Sequence, residues 1–330
     1  MTRQLELDVA VRRGPITESV HRVHAAIVDG AGALRGAARD SARVTSWRSC
    51  AKPFQVMPLL RSGHFDALGW GTAELALACA SHGGEPEHVA LARAMLERLG
   101  LEEGDLACGP HEPLSRRGAR ALQQSGDRPS RLHNNCSGKH AAMLALAKGC
   151  NWPLRGYEAA MHPVQQRVLE CVSQWSGVPV ADIPLMVDGC GVVAFGLPLD
   201  AMARAFARWG EAAERGEEPA ARIIAAMRER AFVVGGTDRF DTVVIEETHG
   251  AVVTKVGAEG VHCGVIPSEG VAFSVKVEDG AQRAQYAAVV RLLQHLEALP
   301  DPLPERLESF LHAPVLNTRG ERVGEVTPLS

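Results

Sequence analysis

Ser49 and Lys52 stand three residues apart, a spacing that sets both side chains on one face of a helix within reach of each other. Pro53 fixes where on the helix they lie. Having no N–H, proline is tolerated in a first turn and disruptive further in, so Ser49 belongs at or near the helix start. There the free backbone N–H groups and the positive end of the helix dipole favour a developing oxyanion. A serine hydroxyl becomes a nucleophile when a base takes its proton, and a neutral lysine can be that base. Working near neutral pH, such a lysine needs its pKa to fall from about 10.4 by roughly 3 units, about 4 kcal/mol. Burial and a second cation both push that way. Ser81, ahead of His82-Gly83-Gly84, and Lys255, in Thr254-Lys255-Val256-Gly257, supply a second serine and a second lysine. Taken singly, each has a plainer reading: a helix cap, a polar helix end, and a lysine guarding an edge strand.

Two further groups carry chemistry. Cys136 and Cys190 lie on glycine-rich segments and are soft donors that suit zinc, although free cysteine is equally a core residue. Spacing alone offers His140, four residues after Cys136 on the same helix face, as a third ligand. A substrate bearing an α-amino and an α-carboxylate group needs one acid and one cation to hold it. Asp188 for the amine, and Arg48 or His140 for the carboxylate, are the candidates beside the motifs. Asp188 equally caps a turn, and Arg48 is equally a surface charge.

The elements that must position these residues change character along the chain. Alternating residues between Leu5 and Val28 predict a strand hairpin, followed by a shorter strand pair up to Trp47. Helices are predicted from Lys52 to Arg61, from Thr72 as a cap, over Pro86–Leu99, near Arg116–Gln124, and from the polar run His133–His140 into an alanine-rich stretch ending at Cys150. Others follow at His162–Trp175, Leu199–Trp209 and Pro219–Arg230. Strand patterning returns after Gly235-Gly236, over Ala251–Val256, Val261–Ile266 and Val271–Val277, with a final helix over Ala281–Leu299 and a last strand near Val323–Thr327. Strands at both ends with helices between them do not make alternating βαβ units. The fold expected is α+β: an antiparallel sheet built from both chain ends, with a helical lobe inserted. We expect a single catalytic domain over residues 1–330, with N-terminal strands at 1–47, the helical lobe at 48–235, and C-terminal strands and helix at 236–330.

Of the 330 residues 46% are hydrophobic and 22% charged, with a net charge of -4, the pattern of a globular chain with ample core. No basic stretch points to nucleic acid, no apolar run is long enough to span a bilayer, and Glu6 and Asp8 do not suit a signal peptide. The eight cysteines are scattered, which suits reduced thiols and a cytoplasmic protein rather than a disulfide framework.

Ser-x-x-Lys, a serine at a helix end and Lys-x-Gly on a late strand occur here in the order of the signature elements of penicillin-recognising enzymes. With Arg48-Ser49-Cys50-Ala51-Lys52-Pro53, Ala80-Ser81-His82-Gly83-Gly84, Asn134-Asn135-Cys136-Ser137-Gly138-Lys139-His140, Asp188-Gly189-Cys190-Gly191 and Thr254-Lys255-Val256-Gly257-Ala258-Glu259-Gly260, the chain resembles the Rhizobium-type (class 3) L-asparaginases, the asparaginase II family. The resemblance implies a fold like serine β-lactamases and glutaminases, and hydrolysis of L-asparagine to aspartate and ammonia. It implies two Ser–Lys pairs, Ser49 with Lys52 and Ser81 with Lys255, and zinc on Cys136, Lys139 and Cys190, outside the hydrolytic step. The resemblance thus favours Lys139 where spacing offers His140. Ser49 is the expected nucleophile, with Ser81 relaying the proton to the departing ammonia; the reverse assignment stays open. A homodimer is the expected assembly. Where penicillin binders carry asparagine two residues after the second serine, this chain has Gly83, and Lys255-Val256-Gly257 lacks the usual hydroxyl residue. Both departures suit a smaller amide. Competing readings are another serine amidohydrolase of this fold, a glutaminase or a β-lactam or peptide hydrolase, and a non-catalytic zinc or thiol sensor.

Overall fold

A computed structural model describes residues 2–329, and these form two compact units. The first unit comprises Met1–Cys50, Leu197–Glu211 and Val243–Ser330; the second comprises Ala51–Gly196 and Ala212–Thr242. Of the residues 48–235 expected to form the helical lobe, 51–196 and 212–235 lie in the second unit, while 48–50 and 197–211 lie in the first.

Strands from both chain ends combine in the first unit, as the patterning requires, but into two sheets rather than one. A six-stranded sheet runs Arg3–Gln4, Leu34–Ala38, Val23–Asp29, Val271–Val277, Val261–Ile266, Val253–Val256. Its pairings are antiparallel apart from the short strand Arg3–Gln4, which lies parallel to Leu34–Ala38. The central strands read as nearly continuous apolar runs because both of their faces are buried. A four-stranded antiparallel sheet orders Ala313–Leu316, Arg322–Pro328, Val9–Arg13 and Ile16–His21. The helix Gln282–His295 packs on strands of both sheets, burying Ala284, Ala287, Ala288, Val289, Val290, Leu292 and Leu293. Every 25 Å2 or so of that apolar face withdrawn from water is worth about 0.6 kcal/mol.

In the second unit the helix Ser137–Gly149 is buried from Ser137 to Ala147 on all sides, which explains its small, alanine-rich sequence. Lys52–Arg61, Thr72–Cys79, Pro86–Arg98 and Pro163–Ser176 pack around it. Pro53 lies in the first turn of its helix, as expected from its missing N–H. Thr72 begins its helix rather than capping it. Gly71 is the cap, and its N–H donates to the Glu74 carboxylate at 2.9 Å. The strands Leu185–Val187 and Val193–Pro198 form an antiparallel hairpin whose turn carries Asp188-Gly189-Cys190-Gly191. No helix among the described residues is long and apolar enough to cross a membrane.

Candidate active site

Ser49 lies in a 3-10 turn, Arg48–Ala51, that runs directly into the helix beginning at Lys52. The preceding residue, Arg48, has φ +50°, a left-handed conformation that costs a non-glycine residue about 1 kcal/mol. Strain of this kind persists where surrounding structure fixes it. Here Cys50, two residues on, does part of the fixing: its buried thiol donates to the Lys255 carbonyl at 2.9 Å. Cys50 therefore fastens the Ser49 turn to the strand Val253–Val256 within the first unit. Lys255 is fully buried, and its Nζ donates to Val256 O at 2.9 Å.

Within the second unit, Lys52 is fully buried at the first position of its helix. Its Nζ donates to the carbonyls of Ala80 and, at 3.0 Å, Asn135, and lies 3.2 Å from Ser81 Oγ. Ser81 is buried just beyond the helix Thr72–Cys79, held by its backbone N–H on Val234 O at 3.1 Å. An ammonium can donate to all three acceptors. A neutral amine matches them as well, with two N–H groups on the carbonyls and its lone pair on the hydroxyl proton. The second arrangement is the one a general base needs.

A different serine contact is excluded as chemistry. Ser137 Oγ lies 2.9 Å from His82 Nε2, but the Gly84 N–H donates to His82 Nδ1 at 3.1 Å. Nδ1 is therefore the acceptor and Nε2 carries the proton, so His82 cannot take one from Ser137. Burial, together with His88 and Lys52, holds the His82 pKa well below its usual value.

Asn135 joins this cluster to the next. Its carbonyl accepts from Lys52, and its side-chain Oδ1 lies 3.1 Å from Cys136 Sγ. Cys136, Lys139 and Cys190 come together: Lys139 Nζ lies 3.0 Å from Cys190 Sγ, and the Cys136 thiol hydrogen-bonds Cys190. That hydrogen bond, then Lys139, pulls the Cys190 pKa down, while the same bond and burial push Cys136 up. Burial opposes the Lys139 ammonium, but Cys190, Cys136 and Asp188 outweigh it and raise its pKa. Two sulfurs and an amine are a fitting soft donor set for zinc once Lys139 sheds its proton. No three His, Cys, Asp or Glu side chains among the described residues are grouped to hold a metal.

His140 sits apart from that role. Its Nδ1 is 2.6 Å from the Tyr157 hydroxyl, and its buried Nε2 has no hydrogen-bond partner among the described residues. Burial, then Lys139, pushes its pKa down to about 3, so the ring is uncharged near neutral pH and offers a carboxylate no cation. Asp188 is half-buried at the hairpin turn, where Oδ1 accepts from the Gly189 N–H at 2.9 Å. Gly83 leaves no room for the asparagine of penicillin binders, since a Cβ there would lie 2.7 Å from Ser115 Cβ.

Sequence reasoning missed Arg239 and Glu85. Arg239 Nη2 lies 3.5 Å from the Ser81 carbonyl, and fully buried Glu85 ties down the loop carrying Arg239. The only signal was the polar, glycine-rich run Gly235-Gly236-Thr237-Asp238-Arg239.

No curated protein sequence matches the chain. Among solved structures, Mglu in its native form is 16% identical, aligning over 84% of this chain and 65% of that one with a TM-score of 0.47. Mglu in its glutamate form is 18% identical over 84% of this chain and 62% of that one, with a TM-score of 0.38. A β-lactamase from Mycobacterium bovis is 13% identical over 88% of this chain and 94% of that one, with a TM-score of 0.32. The chain thus spans 65% of the length of native Mglu. The sequence model of the family described as L-asparaginase II matches residues 9–328, nearly the whole chain. The chain belongs to the L-asparaginase II family, a family of amidohydrolases.

Proposed function

We propose that the protein hydrolyses the side-chain amide of L-asparagine to L-aspartate and ammonia, with Ser49 as nucleophile and Lys52 as the proton carrier. The observation that carries this reading is the buried Lys52 Nζ, three residues after Ser49 and 3.2 Å from Ser81 Oγ, whose hydrogen-bond acceptors among the described residues are two backbone carbonyls and that hydroxyl, all uncharged. Ser49 Oγ attacks the amide carbon and its proton passes to Lys52. The C–N bond then breaks, and Lys52 returns the proton through Ser81 to the leaving nitrogen, which departs as ammonia. Water, deprotonated by Lys52, hydrolyses the acyl-enzyme and restores Ser49. Asp188 receives the substrate ammonium.

Cys136, Lys139 and Cys190 would hold a zinc ion whose part is to fix the Asp188–Gly191 turn. Metal analysis tests this directly. About one zinc per chain is expected, lost in the Cys136→Ala, Cys190→Ala double variant; metal-free protein with full activity removes zinc from the account.

Ammonia release from L-asparagine and L-glutamine, side by side, tests the function itself. Ser49→Ala should abolish turnover with the fold intact. More than a tenth of wild-type activity in that variant transfers the nucleophile's role to Ser81, and turnover of L-glutamine alone makes the protein a glutaminase.

A further inference from the structure

We infer that Arg239 is the specificity-determining residue that receives the substrate's α-carboxylate, an inference that rests on the function just proposed. The α-carboxylate needs a cation in fixed geometry, and of the two candidates that the sequence offers beside its motifs, His140 is fully buried with its Nδ1 held 2.6 Å from the Tyr157 hydroxyl. Arg239 is half-exposed, so part of its guanidinium meets solvent and any ligand there. Its Nη2 approaches the Ser81 carbonyl at 3.5 Å, a long contact that leaves most of its five N–H donors to other acceptors. A planar guanidinium takes a carboxylate through two parallel hydrogen bonds, which a lysine cannot imitate.

The loop beneath Arg239 is built to hold it. The Glu85 carboxylate accepts from the Thr237 N–H at 2.7 Å and from Thr237 Oγ1 at 2.8 Å, while Arg117 Nη1 at 2.5 Å balances its charge from the other side. The Gly236 N–H donates to Thr242 Oγ1 at 3.1 Å. Gly236 has φ +119°, and a Cβ there would sit 2.5 Å from Glu85 Oε1, so only glycine lets the loop approach the carboxylate this closely. Two residues on, the chain places Arg239 beside Ser81, from which it is 158 positions distant in sequence. Glu85 is thus a positioning residue for Arg239, acting on substrate through the loop.

The experiment compares L-asparagine with L-asparaginamide, which carries the same side-chain amide but no α-carboxylate. Calorimetric binding of L-aspartate serves as a readout independent of turnover. Arg239→Ala should lower kcat/KM on L-asparagine by about 10- to 100-fold, the range of a charged hydrogen-bond pair, and on L-asparaginamide by less than about 3-fold. L-Aspartate binding should weaken by a similar factor, and Arg239→Lys should recover only part of the loss. Glu85→Gln should reproduce the acid-specific loss in weaker form. Equal losses on both substrates, or L-aspartate binding that ignores Arg239, overturn the inference. An acid-specific loss in Arg48→Ala with none in Arg239→Ala gives the role to Arg48. Wild-type protein that releases no ammonia yet binds L-aspartate through Arg239 refutes the proposed activity and leaves the carboxylate site standing. Neither turnover nor Arg239-dependent binding overturns both.

Discussion

Two lysines of the helical unit, Lys52 and Lys139, are both buried, are linked through Asn135, Cys136 and Cys190, and meet opposite surroundings. Lys139 faces the Cys190 sulfur at 3.0 Å, with Cys136 and Asp188 adding negative charge, so its ammonium is matched. Lys52 faces two backbone carbonyls and a hydroxyl, all uncharged. A buried ammonium next to a thiolate is a structural pair whose loss leaves an unmatched charge. A buried amino group among neutral acceptors, with a serine hydroxyl as one of them, is arranged to exchange a proton. Burial alone therefore does not distinguish a structural lysine from a catalytic one; the charge of its neighbours does.

Substituting Lys52 makes the largest effect and breaks the comparison if it goes wrong. Lys52→Arg keeps charge and approximate reach but cannot give up its proton, and it should lose about 1,000-fold or more in kcat, close to Lys52→Met. Stability should fall less than for Lys139, because only neutral carbonyls are left unpaired, a loss of about 1–3 kcal/mol. Ammonia release and urea melts on the same samples check both halves. Substantial turnover in Lys52→Arg sinks the lysine-base mechanism.

In metal-free protein, where Lys139 keeps its proton, Lys139→Met should instead cost about 3–5 kcal/mol of stability, because it strands Cys190. Removing both partners should cost less than the sum of the single losses, and a double-mutant cycle with Cys190→Ala in urea measures the difference. Strict additivity would show that the two side chains are neighbours without being a pair.

What the sequence displayed of this arrangement follows the range of each signal. Ser49, Lys52 and Pro53 are local, and their helix-start geometry follows from spacing and from proline's missing N–H. The strands Val261–Ile266 and Val271–Val277 stand where β-branched runs predict them, being buried on both faces. Phe240–Glu247 and Glu305–Leu311 were unforeseen helices, one behind a glycine pair and one behind Pro302 and Pro304, each too short for periodicity to declare itself. The Lys52–Ser81 contact was not legible either, since the two are 29 positions apart and the spacing of Ser49 proposes a nearer partner. Arg239 is one of 35 basic residues, and only the fold sets it against Ser81. Local chemistry is written in neighbours along the chain; the charge surrounding a buried group is written in residues far from it.

Glu85 extends the comparison to an acid and gives the smallest expected effect. Burial opposes its charge, but hydrogen bonds from Arg117 and Thr237 prevail and hold its pKa below the usual 4.5. A carboxyl whose folded pKa lies below its unfolded one contributes stability that is complete above about 4.5 and is lost as the pH falls through the folded value. Arg117 is partly exposed to solvent, which screens the pair, so Glu85→Gln should cost about 2 kcal/mol at pH 7, the worth of hydrogen bonds to a charged group, and no more. Glutamine keeps an acceptor for the Thr237 N–H but cannot answer the guanidinium. Below the folded pKa the wild-type carboxyl is itself neutral, and the two proteins should converge. Thermal melts of both from pH 7 to pH 3 read the gap directly: it should be widest near neutrality and close on the acid side. A gap that stays constant across that range would mean that Glu85 stabilises by shape and hydrogen bonding alone, and that the charge matching seen at Lys139 does not extend to the loop beneath Arg239.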